Sequence, residues 1–154
     1  MATVDLVECI EETMQALRPQ LESRSQSCTL QDAGDLPKVQ TDRARLIQIL
    51  TNLISNANKY TQDGVQITIV AQVEDEFVRI DVIDNGIDMS AADQAKLFEQ
   101  FFRSENNAVR NQHGWGLGLH VTKRMVEELG GEMRVHSKLG AGSTFSFTAQ
   151  SVEQ

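Results

Sequence analysis

The sequence predicts a two-layer α+β sandwich: a mixed, mostly antiparallel sheet packed on one layer of helices. Three observations carry that expectation. Long segments place apolar residues at helical spacing, and between them lie short runs that alternate apolar and polar. The later alternating runs come in adjacent pairs joined by turn residues, the mark of hairpins. No long hydrophobic strand feeds a helix in the βαβ manner, which argues against a doubly wound parallel sheet. Strands paired as hairpins, with helices available for one face, fit two layers.

The elements follow in order. Residues 4–21 predict a helix, with Leu6, Ile10, Thr13, Met14 and Leu17 at helical spacing and Pro19 near its end. Residues 26–40 predict two short strands, SCTLQ and PKVQ, separated by a break from Gly34 to Pro37. Thr41 or Asp42 then caps a strong second helix, DRARLIQILTNLISNANKY. Asp63-Gly64 is a turn signal, followed by VQITIVAQV, a polar EDE turn and FVRIDVID, an antiparallel hairpin. Ser90 caps a short helix, AADQAKLFEQ, and residues 103–113 form a loop without apolar periodicity. After GWGLGL comes the helix HVTKRMVEEL, stopped by Gly130-Gly131. EMRVHS and STFSFTA, joined by KLGAG, close the sheet.

Composition bounds the function. A chain of 154 residues suits one domain with one core, and 40% hydrophobic with 23% charged residues is ordinary globular composition. The net charge of −8 is a poor match for a non-specific DNA or RNA binder. An anionic ligand remains compatible if a metal ion and backbone dipoles supply the attraction. The two cysteines, Cys9 and Cys28, have no metal-ligand spacing and predict buried free thiols in a reducing compartment. No segment is apolar for long enough to span a membrane, so a cytoplasmic domain without direct membrane contact is expected, whatever anchors a larger parent.

Two stretches carry candidate chemistry. On the second helix, Leu46, Ile49, Leu50, Leu53 and Ala57 form the core stripe. Beside it, Gln48, Asn52, Asn56 and Lys59 share a second arc roughly 80° wide. Asn52 and Asn56 are one turn apart, so their amides face the same way. An amide oxygen suits Mg²⁺, which takes one or two protein ligands plus substrate phosphates. Lys59 supplies a point charge for a phosphate, and aromatic Tyr60 follows it. A solvated polar face is the competing explanation, and the convergence of all these residues favours a ligand. In GWGLGL, Gly114, Gly116 and Gly118 let successive N–H groups approach an anion at a helix N-terminus without a Cβ in the way. It is no P-loop, because no Gly-Lys-Ser/Thr follows.

Five segments then resemble, in order and spacing, the N, G1, F, G2 and G3 boxes of the sensor histidine kinase catalytic ATP-binding domain. They are NLISNANKYT (52–61), IDNGID (83–88), LFEQFFR (97–103), GWGLGLHVTKRMVEELGG (114–131) and GAGSTFSF (140–147). The resemblance spans nearly the whole chain. It implies the Bergerat fold shared with gyrase-like ATPases, and ATP and Mg²⁺ as cofactors. It also implies site roles. Asn56 is the expected Mg²⁺ ligand, with Asn52 on the phosphate side. Lys59 is a phosphate contact, and Tyr60 a partner for adenine or ribose. Asp84 resembles the adenine reader, helped by Thr144. Gly86, Asp88 and Leu117 are expected along the nucleotide, and Gly114, Gly116 and Gly118 at the phosphate-facing hinge of an ATP lid, 103–113. Arg103 resembles an arginine that reaches the γ-phosphate. Phe98, Phe101 and Phe102 are better explained as packing anchors than as ligand contacts.

Asn52 stands where gyrase-like hydrolases carry a glutamate that activates water, and an amide is a poor base. This favours phosphoryl transfer over hydrolysis. None of the three histidines, His113, His120 and His136, sits in an acceptor-like helix. Residues 1–154 are therefore expected to be a single catalytic domain, a fragment of a larger kinase. It would donate phosphate to a histidine on a separate dimerisation domain and act indirectly on a response regulator. One departure matters: Asp88 occupies a glycine position of the G1 box. It leaves open a second reading, a degenerate nucleotide-binding or non-binding module that works through protein contacts.

Overall fold

The computed structural model describes residues 1–31, 34–60, 63–85, 115–138 and 142–152. In chain order these form β1 (Ala2–Val4), α1 (Leu6–Glu22), β2 (Ser27–Leu30), β3 (Val39–Thr41) and α2 (Arg43–Tyr60). Then come β4 (Gln66–Glu74), β5 (Phe77–Asp84), α3 (Trp115–Glu128), β6 (Met133–Lys138) and β7 (Gly142–Ser151). The two-layer α+β sandwich expected from the sequence is what forms. The strands make a seven-stranded sheet in the order β1-β3-β7-β5-β4-β2, with β6 also paired to β7. All pairings are antiparallel except β2 with β4, so the sheet is mixed and mostly antiparallel.

Caps set the helix boundaries. The Asp5 carboxylate accepts the Glu8 N–H at 3.1 Å and opens α1, and Asp42 accepts from Arg45 N at 3.1 Å and opens α2. Pro19 does not end α1; the helix runs on to Glu22. Strand β1 was not expected. Its three residues are too few to show alternation, and its pairing with β3 defines it. The α3 C-terminus closes as foreseen at Gly130 (φ +86): Gly130 N donates to Glu127 O and Gly131 N to Val126 O, both at 3.0 Å.

The core lies between the sheet and the helices. Along β5, Val78, Ile80 and Val82 are buried, and their cross-strand partners Ala149, Phe147 and Phe145 are buried with them. Leu6 and Ile10 of α1, Leu46, Ile49, Leu50 and Leu53 of α2, and Leu119 and Val126 of α3 meet that face. Each fully buried Leu or Ile contributes about 1.5–3 kcal/mol. The other face of the sheet carries an ionic network. Arg79 reaches Glu74 at 3.2 Å and Asp81 at 3.2 Å, while Arg134 reaches Glu74 at 3.1 Å and Glu132 at 3.4 Å. Cys9 is buried and Cys28 half-buried, both free; burial pushes the Cys28 thiol up to about 12.

Candidate nucleotide site

Helix α2 brings the two asparagines together as its spacing requires. Asn56 is 9% exposed, and its Nδ2 is the one buried side-chain polar atom among the described residues without a hydrogen-bond partner. An unsatisfied buried donor costs about 1–3 kcal/mol. Such a group points to something that completes it. Asn52, one turn earlier and half-buried, donates its Nδ2 to Thr122 Oγ1 of α3 at 3.1 Å.

The other buried asparagine of α2 is fully engaged. Asn58 Nδ2 donates to Gln26 Oε1 at 2.6 Å and to Gln20 O at 3.3 Å. Its carbonyl oxygen accepts from Gln26 Nε2 at 3.2 Å and from Arg24 Nη1. Arg24 in turn pairs with Asp63 at 2.9 Å. A cation over the last-turn carbonyls suits the negative end of the helix. This cluster fixes the end of α2 that carries Lys59 and Tyr60.

Asp84 closes β5 at 4% exposure. Three residues earlier on the same strand, Asp81 points to the opposite face, where Ser146 Oγ donates to it at 2.6 Å and Arg79 pairs with it. Parity thus separates a structural carboxylate from a candidate ligand-reading one. Thr144, expected beside Asp84, is placed elsewhere. It pairs with Ile83 on β5 and with His136 on β6, on the ionic face of the sheet. The residue directly across from Asp84 is Ser143, also 4% exposed, on the core-facing side. The signal was present in the sequence: stepping back by two from Phe147 and Phe145 reaches Ser143, not Thr144. Gly142, next to it, has φ +83, and a Cβ there would lie 2.0 Å from the Asp84 carbonyl oxygen. Only glycine lets β7 pass the end of β5 so closely.

Helix α3 starts at Trp115, so Gly116, Leu117 and Gly118 lie in its first turn rather than in a loop before it. The first four N–H groups of a helix have no acceptor within it, so this placement keeps them available to an anion. The side chains of Lys59 and Tyr60 lie outside the described residues, as do Gly86, Asp88, Arg103, Gly114, the helix expected over 91–100 and the loop expected over 103–113. No group of three His, Cys, Asp or Glu side chains converges among the described residues. The available metal donors are amide oxygens, which fits an ion such as Mg²⁺ that takes few protein ligands and keeps waters and phosphate oxygens.

Buried Asn56 and half-buried Asn52 on one helix, a buried carboxylate at a strand end and a glycine-bearing helix N-terminus make a candidate site for an anionic ligand in an α+β domain. Residues 41–153 match the family described as histidine kinase-, DNA gyrase B-, and HSP90-like ATPase. Sensor protein GacS of Pseudomonas syringae pv. syringae is 39% identical over 149 residues, covering 92% of this chain and 16% of that protein. The alginate biosynthesis sensor protein KinB of Pseudomonas aeruginosa is 32% identical over 145 residues, 94% of this chain and 24% of that protein. Among solved structures, the nucleotide-free catalytic domain of histidine kinase ThkA superposes with TM-score 0.82 at 26% identity, over 97% of this chain and 95% of that one. Full-length ShkA in complex with AMPPNP gives TM-score 0.84 at 27% identity, over 99% of this chain and 32% of that one. The chain belongs to the histidine kinase-, DNA gyrase B-, and HSP90-like ATPase family, and within it to the ATP-binding catalytic domains of sensor histidine kinases. It spans between 16% and 24% of the length of the two curated relatives named above. No helix among the described residues is long and apolar enough to cross a membrane.

Proposed function

We propose that this chain binds Mg²⁺-ATP between α2, α3 and the Asp84 end of the sheet, and donates the γ-phosphate to a histidine on a separate dimerisation domain of the same kinase. The orphaned Asn56 Nδ2 carries the reading: a buried N–H donor without a protein partner suits a phosphate oxygen, and the chain matches an ATPase family. Asn56, with Asn52 one turn before it, would hold the metal, and bound Mg²⁺ would offset phosphate charge and orient the γ-phosphate for attack. Asp84 accepts from the adenine amine, and Ser143, across from it on the same face, is better placed than Thr144 to steady that carboxylate. The first-turn N–H groups of α3 face the phosphates. Lys59 and Arg103 supply positive charge, and Tyr60 packs on the base or ribose.

The acceptor imidazole nitrogen attacks the γ-phosphorus in line with the departing ADP oxygen, so the P–N bond forms as the P–O bond breaks. This domain contributes positioning and electrostatics rather than a covalent intermediate. Asn52 provides no general base for water, which disfavours hydrolysis. The isolated chain should therefore bind nucleotide and turn over slowly without its acceptor domain. In the cell it would work in the cytoplasm, and a response regulator would take the phosphate from the acceptor histidine.

Calorimetric titration of ADP and a non-hydrolysable ATP analogue, with and without Mg²⁺, into the chain and into Asp88→Gly tests the reading. Binding by the chain itself, little improved in the variant, supports it. Binding by Asp88→Gly alone makes the chain a disabled site acting through protein contacts. Acid-labile phosphate on an added acceptor domain then identifies histidine as the target.

A further inference from the structure

Asn52 is anchored in a way that no known role of the site requires. Its amide nitrogen is given to Thr122 Oγ1, 3.1 Å away on a different helix. Thr122 is fully buried, so its position is set by the packing of α3 against α2. It stands one helical turn beyond Gly118, on the same side of α3 as that glycine. A planar carboxamide held by its nitrogen presents its oxygen at the opposite corner. A flipped amide would offer N–H donors instead, which suit phosphate oxygens but not a cation.

We propose that Thr122 is a positioning residue for the metal–phosphate site: by accepting the Asn52 N–H it turns the Asn52 carbonyl oxygen toward the bound cation and its waters. This rests on the Mg²⁺-ATP reading above. Asn52 and Asn56 then divide the work. The amide polarity of Asn52 is preset by protein, whereas the Nδ2 of Asn56 is left for the ligand to satisfy. The same bond ties α2 to the helix whose first turn bears Gly116 and Gly118, so metal site and phosphate site keep one spacing. A plain strut between helices would also use this bond, and the two roles differ in what they do to Mg²⁺.

The experiment measures the apparent Mg²⁺ affinity at saturating non-hydrolysable ATP analogue, and analogue affinity in EDTA, for the chain, Thr122→Val and Thr122→Ser. Valine keeps the buried volume and removes the acceptor; serine keeps the acceptor. The expected result is a Mg²⁺ requirement raised roughly 3–10-fold by Thr122→Val. Thr122→Ser should match the original chain, and binding in EDTA should not change. In an Asn52→Ala background Thr122→Val should have no further effect on Mg²⁺. An unchanged requirement in Thr122→Val, an equal loss in EDTA, or an effect that persists without the Asn52 amide overturns the proposal. Should the valine variant fail to fold, NMR of the original chain decides. A nuclear Overhauser contact between the Asn52 side-chain NH₂ and Thr122 in the Mg²⁺ complex is expected, and its absence refutes the role. If the original chain shows no Mg²⁺-dependent analogue binding at all, the ATP reading fails and this inference with it.

Discussion

Two asparagines on α2, two residues apart, are buried to nearly the same degree, Asn56 at 9% and Asn58 at 6% exposure, and the fold treats them in opposite ways. Asn58 spends its amide and its carbonyl on Gln20, Gln26 and Arg24. Asn56 leaves a buried donor with no partner. About 200° separates them around the helix, so Asn58 faces the α1–β2 connection and Asn56 points away from it. The first side of α2 is saturated and serves stability. The second is held unsaturated, at a cost to stability, as the proposed nucleotide site requires. Burial of a polar residue therefore says little about its role until its partners are counted.

The largest effect should come from the backbone that frames the unsaturated side. Gly142→Ala puts a methyl group 2.0 Å from the Asp84 carbonyl oxygen, on a residue with positive φ. Strain and overpacking together should cost about 2–5 kcal/mol, so thermal unfolding should show Tm lower by roughly 10 °C. Adenine nucleotide affinity should fall as well, because Asp84 moves. An unchanged Tm would mean that β7 can shift past β5 without penalty.

Asn56→Ala sharpens the contrast directly. It removes a buried Nδ2 that has no hydrogen-bond partner, so the ligand-free Tm should hold or rise. Affinity for the Mg²⁺-bound ATP analogue should drop roughly 10–150-fold, the worth of a hydrogen bond to a charged group. A clear loss of ligand-free stability would break the comparison, since Asn56 would then be structural too.

Gln26→Ala is the reciprocal case. It strips Asn58 of two hydrogen bonds and should cost about 1–3 kcal/mol, a Tm lower by roughly 3–10 °C. Nucleotide affinity, measured well below Tm, should change by less than about threefold. A larger affinity loss would show that the saturated cluster also sets the position of Lys59 and Tyr60.

Most of this division was legible before the structure, at the level where periodicity acts. The core stripe of α2 and the hairpin of β4 and β5 followed from spacing, and the facing of Asn52 with Asn56 followed from one helical turn. What the sequence hid was pairing across distance. Asn58 looked like any polar residue because Gln26 and Arg24 meet it only through the α1–β2 turn. Thr122 lies seventy positions from Asn52 and carries no local signal. The helix start at Trp115 was hidden because glycines disguise a first turn as a loop. Ser143 was different: strand parity identified it, and the expectation placed on Thr144 had followed the motif rather than the alternation.

The smallest effect belongs to the ionic face of the sheet, where Glu74 and Arg134 are paired but partly open to solvent. Arg134, which hydrogen-bonds Glu74 at 3.1 Å, is the main cause that holds the Glu74 carboxyl below its ordinary 4.5; Arg79 adds to it. A carboxyl whose folded value is depressed stabilises the fold above its unfolded value. That contribution declines as pH drops below 4.5 and is gone once pH passes the folded value. Glu74→Gln should therefore lower stability slightly at neutral pH and not at all in strong acid. Chemical denaturation of both proteins at neutral pH and again well below pH 4.5 reads the difference. Solvent screening keeps it small, and added salt should shrink it further. A gap that survives into acid would assign the stabilisation to the shape of the side chain rather than its charge. The face would then match the Gln20–Gln26–Asn58 part of the other cluster, where the hydrogen bonds are between uncharged groups.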